Sequence, residues 1–259
     1  MEELLLQAGR QSLAQVAFWF GPLFFFAWLM QKTAGFFERI VCMTLGVRGY
    51  MLLFGWLGAS VHELSHAAVA LLFGHKINRL KLFTLAPDTG KVGAVRHSYD
   101  RNSMFQRAGN FFIGVAPVFI GAAVIYCAAM ILVPQILAGS IGRPVGIDAV
   151  IAAWSGVLHG FIRYSQWSGW RVYLFLYLAF CIGSAMRLSR ADLKGAWWGA
   201  VILPALVLGV NILEISMFSG PVITGAVSGF MAFACNIMVF AMAVNLLMAL
   251  PIFILSRIF

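Results

Sequence analysis

Residues 50–74 read YMLLFGWLGASVHELSHAAVALLFG, an apolar run with three ionisable side chains at its centre, His62, Glu63 and His66. A helix that crosses the hydrocarbon core of a bilayer needs about 20 predominantly apolar residues, and this run is long enough. Ionisable residues inside such a helix are costly, and by default they indicate a functional site. The stretch therefore predicts a membrane helix that carries a polar site.

The composition of the whole chain agrees with a membrane protein. Of its 259 residues, 62% are hydrophobic and only 10% are charged, whereas soluble domains are about 45–50% apolar and about 25% charged. The net charge of +9 does not indicate a nucleic-acid partner, because the basic residues cluster between apolar runs, as the positive-inside rule expects. The four cysteines form no Cys-x-x-Cys pair, so we interpret them as core residues.

Apolar runs recur along the chain and predict an all-α membrane protein, a single polytopic domain over residues 1–259. We expect a bundle of about six transmembrane helices, with five to seven compatible with the sequence. The stretch 145–162 is shorter and less apolar, and we expect it in the interface. The last run is overlong, and Gly225, Gly229 and Pro251 predict a tilt or a break in it. The expected spans lie near residues 12–30, 50–74, 108–133, 170–187, 195–217 and 222–254.

The basic residues orient these spans. The loop 75–107 contains seven Lys and Arg residues against two Asp, which predicts that it is cytoplasmic. Six alternating spans then place the link 188–194 and both termini in the cytoplasm, and the segment 31–49 on the outer side. This pattern fits a compact protein of the bacterial inner membrane. Within the loop, two alternating stretches flank a Pro- and Gly-containing turn, which predicts a small cytoplasmic-side β-hairpin.

The polar site has the spacing of a zinc site. His62 and His66 are four residues apart, so on a helix both imidazoles point to one side and can bind one zinc ion. Glu63 lies one step around the helix, close enough to deprotonate a zinc-bound water. Zinc lowers the pKa of that water to about 7, which makes hydroxide available at neutral pH.

A third ligand is required, because a catalytic zinc takes three protein ligands and leaves one position open. His66 lies eight residues before Gly74, roughly 12 Å from the cytoplasmic end of its helix at 1.5 Å per residue. Most of the other His, Asp and Glu residues are expected at the opposite face or in the aqueous loop. Asp192 follows the fourth span on the cytoplasmic side and can fold back towards the zinc. His159 is the alternative ligand.

These features resemble the site-2 protease family of intramembrane zinc metalloproteases. The resemblance is in His62, Glu63 and His66 within a membrane helix, a β-hairpin directly after it, a Gly- and Pro-containing helix next, and an Asp-bearing segment before a later helix. It covers roughly residues 50–215. It implies that His62, His66 and Asp192 bind zinc. Glu63 is then the general base.

The sequence therefore predicts an intramembrane zinc metalloprotease that hydrolyses peptide bonds of membrane-embedded or juxtamembrane protein substrates. Asn110 is a candidate for hydrogen-bonding the substrate backbone, or else for joining two helices. One alternative is a non-proteolytic scaffold or partner-binding subunit that keeps the same fold alongside other membrane subunits, which a missing third ligand would favour. Another is a transporter in which the His and Glu residues relay protons, and it predicts no metal.

Overall fold

The structure is a computed structural model in which most of the described residues are helical and two short strands form one antiparallel sheet. This confirms the expected helical class with a small hairpin. The described residues are 2–85, 92–137, 147–164, 169–189, 192, 202, 204–214 and 222–258. The helices are α1 (Glu2–Tyr50), α2 (Trp56–Leu72), α3 (Met104–Leu132), α4 (Pro134–Leu137), α5 (Ile147–Arg163), α6 (Trp170–Ala185), α7 (Pro204–Glu214) and α8 (Val222–Ile258), and the strands are β1 (Lys76–Lys81) and β2 (Ala94–Ser98).

Two helical stretches have the length and the hydropathy needed to cross a membrane, Phe24–Leu72 and Met104–Leu132. The expected count of six spans is not supported by the described part of the chain, where the other apolar stretches identified within helices have 10–17 residues. A straight segment of that length is shorter than the about 30 Å hydrocarbon core. These shorter stretches are Trp170–Ala185, Pro204–Glu214 and Phe233–Met248.

The first two expected spans lie in helical segments that follow one another without a loop and meet at a kink at Gly46. Helix α1 extends far beyond the predicted range 12–30, because the segment that follows contains no proline to stop it. The helical dihedrals are interrupted at Gly46, which has φ 71° and ψ 163°, a conformation that glycine adopts readily because it lacks a Cβ. A π-helical turn, Met51–Gly55, then leads directly into α2.

The last expected span, 222–254, is one helix in the structure. Helix α8 continues to Ile258, and Pro251 lies within it, so the predicted break is absent from this helix. The stretch that we expected in the interface is helix α5. Of the expected span 195–217, the structure describes residue 202 and the helix α7.

The β-hairpin follows α2 directly, as the sequence predicted. Gly74, with φ 72°, ends the helix in the left-handed conformation, and the His75 N–H donates to the Ala70 carbonyl. Strands β1 and β2 pair antiparallel from Lys76↔Ser98 to Lys81↔Ala94, with an irregularity between Ile77 and Arg79. Both strands contact α2. The expected turn at 86–90 lies outside the described residues.

Close helix packing brings α6 against the face of α2 that carries the first histidine. A Cβ at Gly58 would lie 2.1 Å from the Cys181 carbonyl oxygen, so the two backbones are nearly in contact. A Cβ at Gly183 would in turn lie 2.0 Å from Asn245 Oδ1 on α8. Small residues permit this approach in membrane proteins. Because α3 also packs on α2, the histidine-bearing helix lies between two neighbours.

Candidate metal centre

One face of α2 carries both histidines of the motif. The Nε2 atoms of His62 and His66 are 3.1 Å apart, so the predicted convergence of the two imidazoles is present. Two nitrogens that each lie about 2.0–2.1 Å from one tetrahedral ion are about 3.3 Å apart. The two side chains therefore already hold their ring nitrogens at nearly the separation that a metal ion requires.

Backbone carbonyl groups on two neighbouring helices determine which ring nitrogen carries the proton. His62 Nδ1 lies 2.8 Å from the Ala185 carbonyl oxygen on α6, and His66 Nδ1 lies 2.7 Å from the Ile113 carbonyl oxygen on α3. A carbonyl oxygen only accepts, so each Nδ1–H is the donor and each Nε2 presents a lone pair. Two lone pairs that face each other repel unless a cation lies between them. The arrangement thus fits a bound metal, and such outer hydrogen bonds are typical of metal-ligating histidines.

Asp192 completes a group of three donors. Its Oδ1 lies 3.4 Å from His66 Nε2, and the donor atoms of His62, His66 and Asp192 all lie within 4.8 Å of one another. Its Oδ2 accepts a hydrogen bond from the Ser189 backbone N–H at 2.7 Å, while the Asp192 N–H donates to Ser189 Oγ at 3.1 Å. These two reciprocal hydrogen bonds between Asp192 and Ser189 orient the carboxylate, so that Oδ1 remains directed at the histidines.

His159, the alternative third ligand, is placed elsewhere by the structure. Its Nδ1–H donates to the Ser155 carbonyl one turn earlier in α5, at 2.7 Å. Among the described residues, the group of His62, His66 and Asp192 is the one set of three His, Cys, Asp or Glu side chains that could hold a metal ion, and His159 is outside it.

Glu63 lies in the same cavity as the three candidate ligands, and the hairpin contacts it directly. The Val95 backbone N–H on β2 approaches its carboxylate. Gly93, just before β2, packs against it so closely that a Cβ there would lie 2.6 Å from Glu63 Cγ. Gly93 and Val95 could not be recognised from the sequence, because nothing in their local pattern connects them with α2.

The cavity itself has a volume of about 770 Å³ and lies between α2, α3, the hairpin and the segment that contains Asp192. This volume is within the range of about 300–1,000 Å³ that ligand pockets occupy. Asn110 lines the cavity, and its Nδ2 donates to the Arg107 carbonyl within α3 at 3.4 Å. A contact between Asn110 and a substrate stays a prediction.

A second histidine pair lies at the base of the hairpin. His75 and His97 belong to the loop 75–107, which we expected to be aqueous, but His75 is buried and its Nδ1 lies 2.9 Å from His97 Nδ1. His75 Nε2–H donates to the Gln106 carbonyl at 2.9 Å, so His75 Nδ1 accepts and His97 Nδ1–H donates. Burial, followed by the proximity of His75 and His66, lowers the pKa of His97 from its ordinary value. No sequence spacing indicates this pair, since only the strand register joins it.

An ion pair between Arg187 and Glu38 borders the candidate metal centre. Both side chains line a second cavity of about 400 Å³, whose walls also include His62 and Glu63. The contact joins α1 to the segment that leads from α6 to Asp192. It also joins two segments that the predicted topology placed on opposite sides of the membrane, so simple alternation of six spans does not describe this part of the chain.

No family model matches the chain, and neither does a curated protein or a solved structure. The class of site is therefore defined by its own geometry. It is a group of two histidines and a carboxylate beside a half-buried glutamate, and the histidines and the glutamate lie on a helical stretch that is long and apolar enough to cross a membrane.

Proposed function

We propose that the protein is an intramembrane zinc metalloprotease, similar to the site-2 protease family, that hydrolyses peptide bonds of membrane-embedded or juxtamembrane protein substrates. The observation that carries the proposal is the convergence of His62, His66 and Asp192 in one cavity with Glu63. Three protein ligands that leave a further position open are what hydrolytic zinc requires. The proposal includes a bilayer environment and a bacterial inner membrane.

Each residue has a defined task in this reaction. His62, His66 and Asp192 would hold the zinc, which when bound supplies Lewis-acid activation of a water and of the peptide carbonyl. Glu63 accepts the proton of the attacking water on a carboxylate oxygen and delivers it to the leaving amine nitrogen. The Val95 N–H keeps that carboxylate in one orientation.

The hairpin supports a peptide as the substrate. A helical substrate hides its carbonyl groups in its own hydrogen bonds, so it must be extended before it is cleaved. The Val95 N–H of β2 is directed at Glu63, so this strand reaches the base itself. An extended peptide that pairs with a strand edge by β-augmentation would therefore have its carbonyl groups close to Glu63.

The identity of the metal is part of the proposal, because two histidines and one carboxylate also bind Fe(II) in oxygenases. The position of Glu63 favours zinc, since peptide hydrolysis needs a general base beside the activated water. The non-proteolytic scaffold would be favoured by a missing third ligand. The distance of 3.4 Å between Asp192 Oδ1 and His66 Nε2 supports the enzyme instead.

The test is elemental analysis of detergent-purified protein that has been prepared without chelator. We expect about one zinc per wild-type chain and much less in Asp192→Ala, because a catalytic site needs its third ligand. Glu63→Gln should retain the zinc but lose cleavage of a membrane-anchored peptide. Wild type that contains no zinc, or contains iron instead, contradicts the proposal.

A further inference from the structure

Three basic side chains line the mouth of the metal-site cavity. Arg79 and Lys81 belong to β1 and Arg96 belongs to β2, and all three are exposed. We call these three residues the basic rim. Lys76 and Arg101 are also exposed cations of the hairpin region, but they are not among the residues that line this cavity. The basic rim is therefore a feature of the cavity rather than of the hairpin as a whole.

An irregularity in strand pairing creates the basic rim. In a regular register that continues from Ile77↔His97, Asn78 would face Arg96, and Arg79 would lie on the opposite side of the sheet. The register shift after Ile77 instead places Arg79 directly opposite Arg96. Lys81 is two residues further along β1, so it lies on the same side of the sheet. β-Bulges commonly redirect side chains beside functional sites.

This arrangement is unfavourable unless an anion is nearby. Directly opposed residues of an antiparallel pair have Cβ atoms about 4.5–5.5 Å apart, and like charges at that distance destabilise the sheet. Among the described residues, Arg187 forms an ion pair with Glu38 and His66 lies beside Asp192, so no close contact of this kind includes the basic rim. Asp88, in the connection between the strands, lies outside the described residues.

The acids within the cavity are already engaged. Glu63 is packed against Gly93 and approached by the Val95 backbone N–H, and Asp192 accepts a hydrogen bond from Ser189. Three cations of the basic rim thus face two carboxylates, and a divalent cation bound at His62 and His66 would make the cavity more positive still. Such a cavity attracts an anionic ligand.

We propose that the basic rim binds acidic side chains of the substrate close to the scissile bond, so that the preferred substrate is an acidic juxtamembrane peptide segment. This inference rests on the proposed peptidase function and names its substrate class. A peptide is favoured over a lipid head group because these cations line the cavity that contains Glu63. Lys76 and Arg101, outside the cavity lining, are the matched controls.

The experiment measures peptide binding to Glu63→Gln protein in nanodiscs of uncharged phosphatidylcholine, so that neither cleavage nor lipid charge contributes. The probes are two synthetic peptides with the same apolar helix, followed by a juxtamembrane segment that is rich in glutamate in one and in glutamine in the other. We expect the glutamate peptide to bind about tenfold more tightly, because several partly exposed charge pairs each contribute severalfold.

Variants assign the preference to its residues. Arg79→Gln, Lys81→Gln and Arg96→Gln combined should abolish the preference for glutamate, while Lys76→Gln with Arg101→Gln should retain it. Zinc content verifies that each variant is folded. If the triple variant does not fold, raising the salt concentration with the rim intact provides a second measurement. The preference must then shrink, because salt screens exposed charges.

The failure of this inference is distinguishable from failure of the proposed function. Equal binding of the two peptides overturns the inference, whereas cleavage of the glutamine peptide by protein that retains Glu63 would still support the peptidase. Equal peptide binding, together with rim-dependent binding to phosphatidylglycerol vesicles, would overturn it in favour of a lipid head group. A rim-dependent preference in a protein without zinc would support the recognition of acidic peptides and contradict the peptidase.

Discussion

The two histidine pairs of this protein have similar geometry and opposite chemistry. The facing nitrogens are 3.1 Å apart between His62 and His66 and 2.9 Å apart between His75 and His97. In the first pair, backbone carbonyl groups accept hydrogen bonds from the two outer nitrogens, the Nδ1 atoms, so the two facing Nε2 atoms present lone pairs. In the second pair, the carbonyl acceptor among the described residues belongs to His75, whose outer Nε2–H donates to it, so the facing Nδ1 of His75 accepts a hydrogen bond from His97.

This difference shows that a histidine pair is defined by what its outer nitrogens contact. Two outer acceptors leave a site that needs a cation, and Asp192 adds a negative charge beside that site. A single outer acceptor leaves a hydrogen-bonded pair that needs no cation. The distance between the facing nitrogens alone would not distinguish a metal site from a structural contact.

The largest expected effect is loss of the metal from the first pair. His66→Ala should reduce zinc from about one per chain to nearly none, because two remaining ligands do not form a stable zinc site. His97→Ala, from the second pair, is the matched control and should keep its zinc. Elemental analysis measures both. Equal loss in the two variants would mean that the pairs do not differ in the way their hydrogen bonds indicate.

The next effect concerns Glu63, which the hairpin positions beside the first pair. Gly93→Ala should lower the cleavage rate about a hundredfold, because displacement of a reacting group by about 1 Å has that effect. The added Cβ would lie 2.6 Å from Glu63 Cγ and 2.9 Å from the Leu82 carbonyl oxygen, so Glu63 must shift. Zinc content should not change.

Gly209→Ala is the control for this substitution, because a Cβ there meets nothing within 4 Å. It should cleave at the wild-type rate. Undiminished cleavage by Gly93→Ala would show that the close contact between the hairpin and Glu63 has no role in the reaction.

A smaller effect is expected from the residue that orients the third ligand. Ser189→Ala removes the acceptor of the Asp192 N–H and should weaken zinc binding about tenfold, as the loss of outer hydrogen bonds does at other metal sites. Competition with a chelator of known affinity measures this change. Ser60→Ala, which removes a bond to a carbonyl within α2, should leave the affinity unchanged. The reverse order of the two effects would contradict the role of Ser189.

The smallest effect is a pH dependence of the second pair. Because the pKa of His97 is lower in the folded protein than its ordinary value of about 6.5, the unfolded state binds the proton more tightly. The stabilising contribution is therefore complete above about pH 6.5 and is lost as the pH falls through the lowered pKa. Protection of the β1 and β2 amides, corrected for the intrinsic exchange rate at each pH, should decrease over that range. His97→Asn should remove this decrease, and an unchanged pH profile in that variant would assign it to another group.

Local periodicity explains which features could be predicted from the sequence. The four-residue spacing of His62 and His66 places them on one helical face whatever the rest of the chain does, and the alternation on either side of residues 86–90 indicates a hairpin. Helix ends were predicted less well. The stretch from α1 to α2 shows that a polar segment without proline can remain helical up to a kink at Gly46, with no loop between the two apolar segments.

The sequence by itself determined the helical class, the hairpin and the two histidines with their glutamate, because each follows from residues that are neighbours along the chain. Only the tertiary structure brings Asp192, and not His159, beside the two histidines, since this depends on where the segment after α6 passes. It also decided the proton positions, through carbonyl groups of α3 and α6, and the approach of Gly93 and Val95 to Glu63. These contacts join residues far apart in sequence, and helix packing and strand register bring them together.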